Sequence, residues 1–264
     1  MHHEIISFSA TAPGATGAAG TALTGDSLTI RAARPGSKIV LLNMWGDFQA
    51  AGFVQVIAPS FSDTTRAIRA MVPLSEVANL LPWVAPQMAN PQELLSTTIA
   101  GSAVAGDVES GCIWIWYEDV PGLNGRYLDI DGVNSRAVRT VTVANTITTT
   151  AGPAYTGAQA LNAGSDLLRP NTDYAVLGAV IRVECLALGV RSPDWSNVRV
   201  GIPGNELRPE YTSNWFADAS YELGLPLIPI LNTGNKAAIF LDAAQDENAT
   251  AVPFSLNLVE LSPV

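Results

Sequence analysis

The feature that most constrains the fold is a pattern that occurs twice, each time in the same order. Ala19–Gly25 reads A-G-T-A-L-T-G, and Ala151–Gly157 reads A-G-P-A-Y-T-G. Each copy continues with an Arg-Pro turn before an apolar run, at Arg34–Ser37 and at Arg169–Thr172. Matches that stay in order along the chain indicate an internal duplication, which has to be identified before a fold is assigned. The alternative is chance agreement between segments rich in Ala, Gly and Thr.

The correspondence extends into the later part of each half. Pro59–Ser62 matches Pro193–Ser196, since each begins with Pro and ends with an aromatic residue followed by Ser. The separation between matched segments drifts along the chain, as loop insertions between fixed strands would produce. The last apolar strands alternate in the same way, at Ile113, Ile115 and Tyr117 in one half and at Phe254, Leu256 and Leu258 in the other.

The duplication predicts two domains of similar size. We assign residues 1–130 to the first domain and residues 131–264 to the second. The connector is predicted at residues 121–135, which carry Pro-Gly, Asn-Gly and Asp-Gly pairs, all of them typical turn sequences.

Short apolar segments separated by turn residues predict an all-β chain. Ile6–Ser9 alternates apolar and polar residues, and Ile39–Trp45 is a continuous apolar run of the kind expected for a strand covered on both faces. Helical interludes are predicted at Glu76–Leu81, where Ser75 can cap the first turn, and within Asn205–Leu223. About eight strands in each half with one such interlude favour a jelly roll. The predicted fold is therefore two tandem jelly-roll β-sandwich domains with short helical interludes.

The composition limits the partners of the chain. Charged residues make up 14% of its 264 residues, against roughly 25% in an average soluble domain. This shortage predicts that other subunits cover much of the surface; a secreted surface rich in Thr, Ser and Asn is the alternative. The net charge is −10, with 14 Lys and Arg against 24 Asp and Glu. Such a balance gives no basic footprint for phosphates and argues against nucleic-acid binding.

The sequence shows neither a membrane span nor a secretory signal. Its apolar runs fall short of the roughly 20 residues that a spanning helix needs, and Met1–Ser7 lacks a basic segment followed by a long apolar core. We expect the protein to be made in the cytoplasm. Cys112 and Cys185 lie in apolar, strand-like runs, which predicts buried thiols rather than a disulfide.

The chemistry-bearing residues argue against an enzyme. The two histidines, His2 and His3, lie at a terminus that we expect to be mobile. Ser-His-Asp and Cys-His catalysis both need a positioned imidazole. A glycosidase needs two opposed carboxylates, but neighbours on a strand, such as Glu118-Asp119 and Asp246-Glu247, face opposite ways. A two-roll hydrolase therefore remains the weaker alternative.

One segment resembles the beginning of a calcium-binding loop. In Asp129–Asn134 the oxygen-bearing residues Asp129, Asp131 and Asn134 alternate around Gly132. The bidentate Glu that should follow is missing, because Ala137–Thr140 contains no acid. An ordinary turn between the domains is favoured, and no other cofactor is predicted.

The tryptophans are the candidates for contact sites. Trp114 and Trp116 point away from the face of the strand that carries Ile113 and Ile115, so the other half or a neighbouring subunit has to cover them. Buried aromatic side chains commonly anchor protein interfaces. A sugar-stacking platform formed by Trp195, Trp215, Phe216 and Tyr221 is the alternative. The predicted interface anchors are Trp114, Trp116, Trp195 and Trp215.

This duplicated, acidic, all-β pattern without catalytic residues resembles the double jelly-roll major capsid proteins of tailless icosahedral viruses, including membrane-containing bacteriophages. The resemblance covers nearly the whole chain and lies in its architecture and duplication. It implies a homotrimer of pseudo-hexagonal outline that tiles a shell, and a virion location after synthesis in the host cytoplasm. Other capsid or vertex proteins, and an underlying membrane, are the further partners it implies. A carbohydrate-binding or virion-surface module, such as a spike or vertex protein, is the alternative.

Overall fold

The computed structural model describes residues 1–60, 68–72, 87–123, 125–150, 152–161, 167–183, 185–204, 209–245 and 250–263. The predicted helix at Glu76–Leu81 and the acidic pair Asp246-Glu247 lie outside these residues. We refer to residues 1–123 as roll 1 and to residues 125–263 as roll 2.

Roll 1 consists of two packed antiparallel sheets. One sheet has the strand order β3-β1-β9-β4-β7 and the other has the order β2-β8-β5-β6. The strands are β1 (His2–Thr11), β2 (Ala18–Ala19), β3 (Thr21–Ala22), β4 (Ile39–Asp47), β5 (Gly52–Ile57), β6 (Ile68–Val72), β7 (Gln87–Met88), β8 (Ser96–Ala100) and β9 (Val108–Tyr117).

Roll 2 is built in the same way. Its sheets have the strand orders β11-β18-β13-β16-β10 and β12-β17-β14-β15. The strands are β10 (Tyr127–Leu128), β11 (Ala137–Thr148), β12 (Ala154–Ala160), β13 (Asp173–Ile181), β14 (Ala187–Arg191), β15 (Val200–Ile202), β16 (Ile228–Asn232), β17 (Phe240–Gln245) and β18 (Ala251–Leu261). The helices are α1 (Ile130–Arg136) and α2 (Trp215–Leu223), with 3-10 turns at Pro193–Trp195, Pro209–Tyr211 and Thr233–Ala238.

The two rolls repeat one strand order. The order β1-β9-β4-β7 in roll 1 corresponds to β11-β18-β13-β16 in roll 2, and β2-β8-β5-β6 corresponds to β12-β17-β14-β15. Two four-stranded antiparallel sheets with these connections form a jelly roll. The predicted all-β fold, with two tandem jelly rolls and short helical interludes, is therefore confirmed.

Matched turns adopt matched backbone conformations. The third residue of each Arg-Pro turn is in the left-handed region, with φ of 86° at Gly36 and 50° at Asn171. Gly and Asn are the residues that enter this region most readily. Each turn leads directly into a strand, at Ile39 and at Asp173. The same local chemistry therefore starts the same strand in both rolls.

The central strands of the β3-β1-β9-β4-β7 sheet, which we call the first sheet of roll 1, are buried on both faces. Every residue of β4 is buried, as the continuous apolar run predicted, and β9 is buried from Glu109 to Tyr117. The inner face packs within roll 1, through residues such as Phe8, Leu41 and Ile115. The outer face packs on roll 2. This second contact is the reason that the sequence of β4 lacks the alternation of a half-exposed strand.

The expectation of a mobile terminus at His2 and His3 is wrong. β1 begins at His2, which pairs with Tyr117, while His3 pairs with Trp116. Their side chains are 1% and 0% exposed. Neutral imidazoles can be buried when their ring nitrogens find hydrogen-bond partners. Both ring nitrogens of His3 and Nδ1 of His2 have such partners.

The connector differs in detail from a plain turn. β10 pairs with β16, so the pairing of roll 2 begins at Tyr127. Helix α1 follows immediately.

In the second interlude, α2 ends at Gly224, whose φ of 63° forms the left-handed cap. None of the helices among the described residues combines the length and apolarity needed to cross a bilayer.

Candidate functional site: the junction between the rolls

The junction is formed on one side by the outer face of the first sheet. Ile5 lies opposite Trp114 and Ser7 lies opposite Cys112 in the register of β1 and β9, so all four side chains point away from the core of roll 1. Ile5, Cys112 and Trp114 join the hydrophobic core of roll 2 instead. The apolar members of this face are Ile5, Val40, Leu42, Trp45, Cys112, Trp114 and Trp116.

A cluster of aromatic rings occupies the centre of the junction. Trp215 of α2 stacks on Trp114, with ring centroids 5.4 Å apart, and meets Trp45 edge-on at 5.6 Å. Phe216 contacts Trp114 at 5.7 Å. The indole Nε1 of Trp45 donates to the carbonyl oxygen of Leu186 at 2.6 Å. Each aromatic pair contributes about 0.5–1.5 kcal/mol beyond the area that it buries.

Two glycines of roll 2 permit these close contacts. A Cβ atom on Gly201 would lie 2.3 Å from Cδ1 of Ile5, so β15 can approach β1 only without a side chain there. The backbone N–H of Ile5 donates to the carbonyl of Arg199 at 3.3 Å. A Cβ atom on Gly178 would lie 2.4 Å from the carbonyl oxygen of Thr212. Glycine at this position therefore allows the turn before α2 to lie on β13.

His3 bridges the two rolls through both ring nitrogens. Trp114 Nε1 donates to His3 Nδ1 at 3.0 Å. Because Nδ1 accepts, the ring proton is on Nε2, which donates to the carbonyl oxygen of Leu227 at 2.9 Å. Burial lowers the pKa of His3 to about 3, since the charged imidazole would lose its hydration. The side chain is therefore neutral at physiological pH.

His2 is held in a similar environment. Its Nδ1 lies 3.2 Å from the hydroxyl of Tyr127, and its ring stacks on Tyr117 at 6.0 Å. Burial, reinforced by the charges of His3 and Arg31, lowers the pKa of His2 to about 2. The Nε2 atom of His2 is buried without a hydrogen-bond partner among the described residues.

A buried ion-pair network also crosses the junction. Arg199 of roll 2 reaches Asp26 of roll 1, with Nη1 and Oδ1 2.8 Å apart, and its Nε lies 3.3 Å from Oδ1 of Asp242. The guanidinium of Arg199 lies 3.7 Å above the ring of Tyr155. Burial raises the pKa of Asp26 to about 6, although the charge of Arg199 opposes this effect. The network therefore links roll 1 to roll 2 through a buried ion pair.

Next to this network lies a small buried polar cluster. Ser7 Oγ lies 2.7 Å from the hydroxyl of Tyr155 and 3.0 Å from Sγ of Cys112. Burial raises the pKa of Cys112 to about 12, so the reactive thiolate does not form near neutral pH. Cys112 and Cys185 are both buried and are not joined in a disulfide, which confirms the prediction of buried thiols.

The four predicted subunit anchors lie inside a single chain. Trp114 and Trp195 are 0% exposed, Trp215 is 3% exposed and Trp116 is 5% exposed. A side chain buried in the isolated chain offers no surface to another subunit. Trp114 and Trp215 instead meet across the junction of the two rolls, whereas Trp195 packs on Tyr127 within roll 2. Of the two covers considered for Trp114 and Trp116, the structure shows the other half. The sugar-stacking platform is absent too, since of its four residues Tyr221 alone is exposed.

The predicted calcium ligands form the beginning of a helix. Asp129 is the N-cap of α1, and its Oδ1 accepts from the N–H of Gly132 at 2.7 Å. Asp131 lies in the first turn, and Asn134 is exposed on the same helix. The loop geometry of a calcium site is therefore replaced by helix capping. In the part of the chain that the structure describes, no group of three or more His, Cys, Asp or Glu residues could hold a metal ion.

The acidic pair at the end of β9 has structural partners. Glu118 Oε2 accepts from the N–H of Lys38 at 2.9 Å, and Asp119 pairs with Arg34 at 2.8 Å.

Sequence reasoning missed the functional groups of the junction, which are His2, His3, Asp26 and Arg199. The arginine had a local signal, because Val198-Arg199-Val200 places a charge inside an apolar strand segment.

Roll 2 carries a counterpart of the junction face. In the register of β11, β18 and β13, Thr142, Ala144 and Thr146 point away from the core of roll 2, as the junction residues do in roll 1. These three residues are exposed. A depression of about 380 Å³ lies on the same face, with Arg182 at its edge. We define the counterpart face as Thr142, Ala144, Thr146, Val180, Pro253 and Ser255, all of them uncharged.

Comparison with known proteins adds two distant likenesses. No protein-family model matches the chain, and no curated protein matches it. Among solved structures, the major capsid protein P2 from bacteriophage PM2 is 8% identical over 99% of this chain and 98% of its own, with a TM-score of 0.24. The PBSX exported protein XepA is 11% identical over 98% of this chain and 86% of its own, with a TM-score of 0.26. At such TM-scores neither likeness carries an argument about fold or function.

Proposed function

We propose that the chain is a non-enzymatic structural protein of a virion, a major capsid protein whose homotrimers tile an icosahedral shell. The observation that carries this proposal is the counterpart face of roll 2, on which Thr142, Ala144 and Thr146 are exposed and the other three residues are half-buried. Roll 1 uses the equivalent face to receive roll 2 of the same chain.

The junction is a head-to-tail contact between two similar units. The outer face of the first sheet of roll 1 receives α2 and β15 of roll 2. The turn before α2 lies on the outer face of β13 and β18, beside the counterpart face, where Asn257 donates to the carbonyl oxygen of Ser213. Because the rolls share one strand order, the counterpart face of roll 2 is placed to receive a neighbouring roll in the same way. Head-to-tail contacts that repeat form a closed ring when the rotation between units is suitable. A ring of six rolls requires three chains.

The chemistry of the counterpart face supports contact with protein. Its side chains are uncharged apart from the exposed Arg182 at its edge, and the Thr and Val residues among them suit a flat β surface. The counterpart face is less apolar than the junction face. We therefore expect a contact that forms between folded chains rather than one that is needed for folding. The low content of charged residues, 14%, is consistent with extensive coverage by other subunits.

This function places the protein in the virion after synthesis in the host cytoplasm. Its partners are further copies of itself, other capsid or vertex proteins and an underlying membrane. The net charge of −10 makes direct contact with the genome unfavourable. A carbohydrate-binding or spike module remains the second candidate and would use exposed aromatic residues, of which Tyr211 and Tyr221 are two.

The mass of the purified protein in solution tests the proposal. Light scattering at several concentrations should give a stable species near three times 27.7 kDa, or megadalton particles. A strict monomer at all concentrations would overturn the capsid assignment. Binding on a glycan array, without any assembly, would favour the second candidate.

A further inference from the structure

His2 and His3 stand at the point where roll 1 and roll 2 meet. The hydrogen-bond partners and aromatic rings around His3 come from both rolls. Trp114 belongs to β9 of roll 1, whereas the carbonyl of Leu227 and the ring of Phe216 belong to roll 2. Tyr127 of β10 contacts His3 at 4.7 Å and also binds His2. We propose that His2 and His3 form an acid-sensitive clasp, whose protonation opens the junction while each roll keeps its sheets.

Protonation of His3 breaks a hydrogen bond that crosses β1 and β9. A charged imidazole has no acceptor nitrogen, so Nδ1 can no longer accept from Trp114 Nε1. The indole N–H of Trp114 would then lose this acceptor. It would face the new N–H group on Nδ1 of His3, which is also buried. Unsatisfied buried donors are costly, whereas separation of the rolls exposes both groups to water.

The surroundings do not compensate a positive charge on the clasp. The charged groups that act on His2 are His3, Arg31 and the amino terminus, and all of them disfavour its protonation. The nearby carboxylate of Glu4 is already paired with Arg31 at 2.7 Å and accepts from Tyr117 at 2.9 Å. Tyr117 and Tyr127, the other titratable groups, stay neutral because burial raises the pKa of each.

The direction of the pH effect follows from the two pKa values. Both histidines have folded-state pKa values far below the ordinary 6.5, about 2 for His2 and about 3 for His3. The closed junction therefore binds fewer protons than the open form. The contribution of the histidines to the stability of the closed junction is fully present above about pH 6.5 and is lost as the pH falls. For each histidine, the opening equilibrium constant rises by up to about tenfold per pH unit.

Asp26 opposes one histidine over part of this range. Its pKa is raised from 3.8 to about 6 in the closed junction, so the closed form gains a proton between about pH 6 and pH 4. This proton uptake favours closure. It offsets the proton that one of the two histidines takes up when the junction opens. The net opening equilibrium should therefore change by about tenfold per pH unit near pH 5.

The full-length chain provides a direct readout of opening. Trp45, Trp114 and Trp215 all lie in the junction, so their fluorescence reports its exposure to water. Far-UV circular dichroism reports the sheets of both rolls. On acidification from pH 8 to pH 4, with urea added to bring the transition into range, fluorescence should shift to the red before the far-UV signal is lost.

Two glutamine variants test the role of the clasp. In His3→Gln the amide oxygen can accept from Trp114 and the amide nitrogen can donate to Leu227, but the side chain does not titrate. The slope of the opening equilibrium near pH 5 should fall from about tenfold per pH unit to nearly zero. His2→Gln should have the same effect and serves as the second variant if His3→Gln does not fold.

Two results would overturn the clasp. One is an unchanged slope in both glutamine variants, and the other is simultaneous loss of the fluorescence and far-UV signals in the wild type. The clasp is a property of the single chain, so its failure would leave the proposed assembly untouched, and a monomeric protein would leave the clasp untouched.

Discussion

Trp114 of roll 1 and Trp215 of roll 2 stack with their ring centroids 5.4 Å apart and their planes inclined by 27°. Trp114 projects from the middle strand of a sheet, and Trp215 is the first residue of a helix in the other roll. The pair joins two units that each have the strand order of a jelly roll. The two rolls therefore pack directly on each other at this point in the closed junction.

Truncation of Trp215 should destabilise the whole chain. Trp215→Ala removes the contacts with Trp114 and Trp45 and leaves a cavity in the junction, at a cost of about 3–5 kcal/mol in the free energy of unfolding. Urea denaturation measures this loss. Tyr221→Ala is the matched control, because Tyr221 lies on the same helix and is 73% exposed. Equal losses in the two variants would show that the stack is not a major contact.

Removal of the Asp26 charge should make the protein more sensitive to acid. Asp26→Asn retains an oxygen that can accept from the N–H of Ser7 but takes up no proton. Because the pKa of Asp26 is raised, its protonation favours the closed form as the pH falls, and the variant loses this contribution. The opening equilibrium of the junction should then change by about a hundredfold per pH unit near pH 5, instead of about tenfold. A shallower slope in the variant, measured by urea denaturation at several pH values, would contradict this assignment.

A charge on the counterpart face should block assembly without affecting the fold. Thr142→Arg places a guanidinium on the exposed face of β11, where the proposed trimer buries it. Light scattering should show monomers, while the melting temperature of the chain stays within a few degrees of wild type. Asn134→Arg introduces the same charge on the exposed side of α1 and should leave trimers intact. Trimers in both variants would place the subunit contact elsewhere.

Asp129 should stabilise the chain without calcium. Asp129→Ala removes the cap of α1 and should lower the free energy of unfolding by about 1 kcal/mol. The loss should be equal with calcium and with a chelator, because the carboxylate binds the backbone N–H of Gly132. A rise in the wild-type melting temperature with calcium, absent in the variant, would restore the metal site.

The chain sequence determined the features that depend on neighbouring residues. Period-two alternation and continuous apolar runs identified strands such as β4, and the turns at Gly36 and Asn171 identified the beginning of the same strand in both rolls. These signals are local, because strand periodicity and left-handed turns arise within a few residues. The internal duplication was therefore visible before the tertiary structure was considered.

Only the tertiary structure decided which residues meet across the junction. Periodicity showed that Trp114 needed a cover, but it carries no information about whether that cover is α2 of the same chain or another subunit. His2 and His3 looked like a loose terminus because their partners, Tyr127 and Leu227, are distant in sequence. The pairing of Asp26 with Arg199 is equally invisible locally, since its geometry depends on how one complete roll packs on the other.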